Sequence, residues 1–307
     1  MSRMSFSMAP PSMLILIFLS LGCGGEGSDN PAAPSAPPVQ PAGPSGPGAP
    51  AISETGGIPS GYRMVWSDEF DVPGLPDATK WSHDTERNSA GWYNNEQQYY
   101  ASERPENARV ENGFLVITAR REDLSTLGLP DWSGQRYSSA RLVTRGKAAW
   151  SGGFFEIRAK LPCGRGTWPA IWTLSAPPQT RWPDDGEIDI MEHVGFDPGI
   201  VHGTVHTGSY NHTLGNHRGA TTTVADACNE FHRYQMNWTP SRITIGVDDR
   251  NYFQYSNDGS GNGTWPFDSP QYLILNIAVG GDWGGQMGID DTVFPVRMEI
   301  DYVRVYQ

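Results

Sequence analysis

Short segments in which apolar and polar residues alternate with a period of two recur from about residue 58 to the C-terminus. FLVITAR (114–120), GGFFEIRAKL (152–161), EIDIMEHV (187–194), RYQMNWT (233–239), RITIGVD (242–248), YLILNIAVG (272–280) and MEIDYVRVY (298–306) stand between turn signals rich in Gly, Asn and Asp. Side chains along a strand point alternately to opposite faces, so such segments offer one face to a core and one to solvent or a ligand. No stretch carries a 3.6-residue apolar stripe over three turns, which argues against a helical architecture. Strands at this spacing predict an all-β sandwich or barrel, and about 250 residues in one such domain is ordinary.

The first 57 residues lack this pattern. Arg3 precedes MLILIFLSL, an apolar run too short to span a bilayer and suited to the core of a signal peptide. The run ends in LGC at Cys23, which resembles a bacterial lipoprotein signal whose cysteine is acylated, although Ser20 stands where Leu is usual. Residues 24–57 are Pro, Gly, Ala and Ser with almost nothing to bury, the composition of a spacer. The expected organisation is a signal peptide over 1–23, a linker over 24–57 and one domain over 58–307. Export to the cell surface or the medium follows, with membrane contact only through a lipid on Cys23.

The formal charge is -12, with no cluster of Lys and Arg to face phosphates, so a nucleic-acid partner is excluded. Eleven tryptophans in a Gly-rich chain suit neutral polar substrates such as sugars, whose C–H faces stack on aromatic rings. In an exported chain Cys163 and Cys228 are free to bond or to remain buried thiols, and the sequence leaves both open.

DGEIDIMEHVG (185–195) breaks the alternation. Glu187, Ile188, Asp189 and Ile190 keep the period, then Glu192 arrives one residue late, behind Met191. A β-bulge at Ile190–Met191 would turn the odd offset even and place all three carboxylates on one face. Glu187 and Glu192 would then lie roughly 13 Å apart at Cα, and converging side chains could approach the roughly 5–5.5 Å of a retaining glycosidase pair. That chemistry needs one ionised and one protonated carboxyl, and crowding three acids keeps one of them protonated. On this view deletion of Met191 is expected to turn Glu192 to the opposite face. The alternative is a strand with a solvated acidic face. Nearby, Trp168 and Trp172 in CGRGTWPAIWTL share a face if extended, and so do His202 and His206 in VHGTVHT. An i,i+4 pair on a strand lies about 13 Å apart, too far for both nitrogens to bind one zinc, so His206 is read as a hydrogen-bonding neighbour of the acids.

GEIDIMEHVG, with GTWPAIWTL before it and HGTVHT after it, closely resembles glycoside hydrolase family 16, and the bacterial endo-1,3-β-glucanases (laminarinases) in particular. The likeness runs from VWSDEF (65–70) through NNEQQYY, NARVENGFLVITAR, SARLVTRGK, FHRYQMNW and GGDW to DYVRVYQ. It implies a jelly-roll, concanavalin A-like sandwich with a concave cleft, and retaining endo-hydrolysis of internal β-1,3 bonds in laminarin-like glucans. It also implies Glu187 as nucleophile, Asp189 as its electrostatic partner and Glu192 as acid/base. Asn94 or Asn95, Arg141, Trp168, Trp172, His206 and Trp283 resemble substrate-binding residues. Glu69, the backbone carbonyl of Gly113 and Asp301 match ligands of a structural calcium, and oxygen ligands suit that ion. No cofactor is expected for catalysis, and a monomer is expected. Rivals are another family 16 hydrolase or transglycosylase of agarase type, and a non-catalytic glucan-binding protein, which typically lacks the two glutamates present here.

Overall fold

The computed structural model describes residues 56–307. The signal peptide, Cys23 and nearly all of the linker lie outside the described residues.

The alternating segments pair into two sheets. A seven-stranded sheet runs, edge to edge, Arg218–Thr223, Ile200–His206, Glu187–Glu192, Thr167–Ser175, Gln271–Val279, Arg141–Val143 and Ser82–His83. The ten-stranded partner runs Arg250–Ser256, Arg242–Val247, His232–Thr239, Gly153–Lys160, Val296–Tyr306, Phe114–Arg121, Tyr137–Ser139 and Gln98–Tyr100, with Met64–Asp68 and Ala108–Glu111 off that path. Pairing is antiparallel apart from Gln98–Tyr100 with Tyr137–Ser139. The chain crosses from one sheet to the other and back, which is the jelly-roll sandwich that the sequence implies.

One core joins the sheets. Ile171, Ile188, Ile190, Val205, Leu275 and Ile277 from the smaller sheet meet Ile117, Phe155, Ile157, Met236, Trp238 and Val303 from the larger. Polar residues at alternate positions are thereby forced onto the outer faces. On the seven-stranded sheet that outer face floors a cleft of about 930 Å³.

The register confirms the bulge. Asp189 lies opposite Thr204 and Glu192 opposite His202, so three steps on the acidic strand match two on its neighbour. Against the other neighbour Asp189 faces Trp172, Met191 faces Ile171 and Glu192 faces Ala170, again with one residue extra. Ile190 and Met191 are both fully buried, so two consecutive side chains enter the core and Glu192 returns to the face of Glu187 and Asp189. This corrects the expectation for deletion of Met191. Without it, Ile190 alone would face Ile171, and Glu192 would still reach the cleft face by plain alternation.

Cys163 and Cys228 form a disulfide, with Cα atoms 5.8 Å apart and a sequence separation of 65. The loop it closes contains the acidic strand and both of that strand's neighbours.

Candidate active site

Gly186 delivers the acidic strand into the cleft. Its φ is +86°, a conformation that side-chain-bearing residues resist, and a Cβ there would stand 2.8 Å from both Phe267 and Pro266. Glu187, Asp189 and Glu192 then line the cleft together with Trp168, Trp172 and Trp182. Glu187 accepts a hydrogen bond from the Trp182 indole at 2.8 Å, and Glu192 accepts one from the Trp168 indole at 3.0 Å. Each glutamate is thus aimed by its own tryptophan.

Asp189 lies between them, 2% exposed, and its Oδ2 has no hydrogen-bond partner among the described residues. His206 Nε2 stands 3.3 Å from that oxygen and 3.7 Å from Glu187 Oε1. The backbone N–H of His212 donates to His206 Nδ1 at 3.3 Å, which leaves Nε2 to carry the ring proton that faces the acids. Glu187, Asp189 and His206 are close enough to suggest a metal group. With the ring in that tautomer, however, no lone pair faces the acids. A second group, Cys163, His193 and Cys228, has its sulfurs committed to the disulfide.

All three carboxyls are harder to ionise than usual. Burial raises Glu187 well above the ordinary carboxylate range, and the Asp189 charge raises it further, while His206 and the Trp182 hydrogen bond oppose the rise. Burial and the Glu192 charge raise Asp189. Burial also raises Glu192, against the pull of His206 and the Trp168 hydrogen bond. Three interacting acids on one face cannot all ionise cheaply, so losing the last proton from the set is opposed.

The remaining expected residues divide. Arg141 is buried, donates to Asp84 at 2.9 Å, and holds its guanidinium 4.7 Å from the Trp172 ring and 5.2 Å from Trp92. Trp172 is fixed in turn by its indole bond to Asn276 at 2.7 Å. Of the asparagine pair, Asn94 lines the cleft, whereas Asn95 turns away to bond Asp282 at 2.7 Å. Trp283 is not in the cleft wall; its ring meets Trp168 at 5.4 Å and His202 at 4.8 Å, edge to face, and so buttresses Trp168.

The carboxylates expected as calcium ligands each have an arginine beside them: Arg304 bonds Glu69 at 3.0 and 2.7 Å, and Arg158 bonds Asp301 at 2.5 Å.

The sequence reading missed Trp92, Trp182, Glu96, Asp84 and Asn276. Asn276 left a trace, a lone amide inside the apolar run YLILNIAVG, and Trp182 stands only five residues before Glu187. Asp84 gave no signal.

Comparison with known proteins agrees with this geometry. The model for glycosyl hydrolases family 16 matches residues 95–304. A beta-glucanase from Rhodothermus marinus is 53% identical over 254 residues, covering 80% of this chain and 85% of that protein. Among solved structures, a non-specific endo-beta-1,3(4)-glucanase of family 16 superposes with a TM-score of 0.80 at 56% identity, over 83% of this chain and 94% of that one. The laminarinase from Rhodothermus marinus superposes with a TM-score of 0.75 at 53% identity, over 80% and 97% of the two chains.

Proposed function

Because the chain belongs to the glycosyl hydrolases of family 16, we propose that this cleft is the active site of a retaining endo-β-1,3-glucanase acting on laminarin-like glucans. The observation that carries the reading is the bulged strand, which sets Glu187, Asp189 and Glu192 on one face of a tryptophan-walled cleft.

In this mechanism Glu187 attacks the anomeric carbon while Glu192 gives its proton to the departing glycosidic oxygen. Glu192 then takes a proton from water, which attacks the glycosyl–Glu187 ester and releases a product of unchanged configuration. Asp189 and the Nε2–H of His206 orient Glu187. Once Glu187 has lost its charge to the new bond, its repulsion no longer opposes an ionised Glu192, so Glu192 gives up its proton in the first step and stands ready to accept one from water in the second. Trp172 and Trp168 offer rings to sugar faces, and Arg141, clamped between two indoles, offers guanidinium donors to hydroxyls.

A second reading, tolerance of mixed β-1,3-1,4 chains, is favoured by the likeness to the glucanase described as non-specific. Incubation with laminarin, lichenan and agarose, with products sized over time, tests both. Long oligosaccharides appearing first from laminarin support the endo reading, and lichenan cleavage supports the broader specificity. Cleavage of agarose alone would overturn both. Export through the N-terminal signal, with acylation at Cys23 holding the domain off a surface on its Pro-rich linker, completes the proposal. A Cys23→Ala chain that partitions to membranes as wild type does would remove the anchor.

A further inference from the structure

A fourth carboxyl shares the cleft. Glu96 follows Asn94 in the loop before the strand Gln98–Tyr100 and forms a backbone bridge with Gly280. A Cβ on neighbouring Gly281 would meet Asn94 O at 2.9 Å, Glu96 Cγ at 3.3 Å and Trp168 Cζ3 at 3.5 Å. Glu96 and the Trp168 ring therefore flank one glycine, and that same indole donates to Glu192. Gln98 Nε2 fixes Glu96 Oε2 at 2.8 Å, so the carboxyl is anchored rather than loose in the cleft.

We propose that Glu96 is a positioning residue for the acid/base: its anchored carboxyl, on the Trp168 side of the cleft, keeps Glu192 protonated until a leaving oxygen takes the proton. The proposal rests on the reading of Glu192 as acid/base. The charged and titratable groups facing this pair are Glu187 and Asp189 on the acidic strand, with His206 and, opposite Glu192 in register, His202 on the strand beside it. Arg141 and Tyr100 face it across the sheet, and Tyr252 from the opposite sheet. Burial raises Glu96 itself, against Gln98, Arg141 and Asn94, and its charge in turn raises Glu192. Adding one acid to a coupled set makes each further proton harder to lose, however the protons are shared. The benefit is a general acid still loaded at neutral pH.

The test is the pH dependence of kcat/KM on laminarin for wild type, Glu96→Gln and Glu96→Asp, with melting temperatures measured alongside. Glu96→Gln keeps the shape and removes the charge, so its alkaline limb should move to lower pH by about 0.5 unit or more. Glu96→Asp keeps the charge and should stay nearer wild type. A native melting temperature with an unmoved alkaline limb in Glu96→Gln overturns the role. If that variant does not fold, carbon NMR of the wild-type glutamate carboxyls decides: linked, two-step titration of Glu96 and Glu192 supports the coupling, and independent single steps overturn it. A wild-type protein inactive on every glucan would instead sink the reading of the cleft, a failure distinguishable from that of Glu96 alone.

Discussion

Deleting Met191 would convert Glu-x-Asp-x-x-Glu into Glu-x-Asp-x-Glu, and the register dictates the outcome. With Ile190 alone opposite Ile171, the pairs Asp189–Trp172 and Glu192–Ala170 become two steps against two, and Glu192 stays on the cleft face. The stability cost comes from losing a fully buried methionine side chain, about 2–5 kcal/mol by analogy with truncating a buried Met to Ala. That is a large share of the ~5–15 kcal/mol of a typical domain, yet compatible with folding. The activity cost comes from losing the bulge's local twist, which aims Glu192; an error of about 1 Å in a catalytic group costs about 10²-fold. The deletion should therefore fold, melt earlier and retain on the order of 1% of kcat, while Met191→Ala shows a similar stability loss with kcat near wild type. Calorimetry and initial rates on laminarin measure both. A native fold with activity no higher than that of Glu192→Ala would show that the deletion turned Glu192 into the core, refuting the register argument. Full activity would show that the bulge does not aim it.

Replacing Cys163 and Cys228 by Ala opens a loop of 65 residues, which chain entropy values at about 4 kcal/mol, so melting should fall by about 8–16 °C; a shift under about 2 °C would contradict this. Glu187→Gln should stabilise the fold at pH 8, because the raised Glu187 pKa means that ionising this half-buried group costs stability. That cost is absent below the ordinary carboxylate range near pH ~4, grows as pH rises through the folded value and is complete above it, so the gain in melting temperature should vanish on acidification. Equal gains at pH 4 and pH 8 would contradict the linkage. Trp283→Ala should lower kcat through loss of support to Trp168, with wild-type order in the product ladder; a lost subsite would change the ladder.

The sandwich and the bulge were legible because period-two burial and its single slip are properties of local sequence. Trp168, Trp172 and His206 were legible for the same reason, since spacing along one strand fixes the face. What escaped depended on contacts distant in sequence. Arg141 meets Asp84 across 57 residues, and Glu96 lines the same cleft as an acidic strand far along the chain. Asn94 and Asn95 both have φ of 56°, so alternation could not say which faces the cleft; the bond from Asn95 to Asp282 decides it. The arginine partners of Glu69 and Asp301 likewise come from far along the chain and left no local signal.

The division of labour between the two glutamates is the central claim, and azide tests it most directly. Glu187→Ala opens space at the anomeric carbon while Glu192 remains a proton donor, so azide should attack directly and give an α-glycosyl azide. Glu192→Ala still forms the ester on Glu187, so azide should intercept it and give a β-azide, with far less rate lost on an activated aryl glycoside than on laminarin. The anomeric proton in the NMR spectrum of each product identifies its configuration. An α-azide from Glu187→Ala and a β-azide from Glu192→Ala are the results expected; the reverse pairing would exchange the two roles, and near-wild-type hydrolysis by either variant would contradict the mechanism.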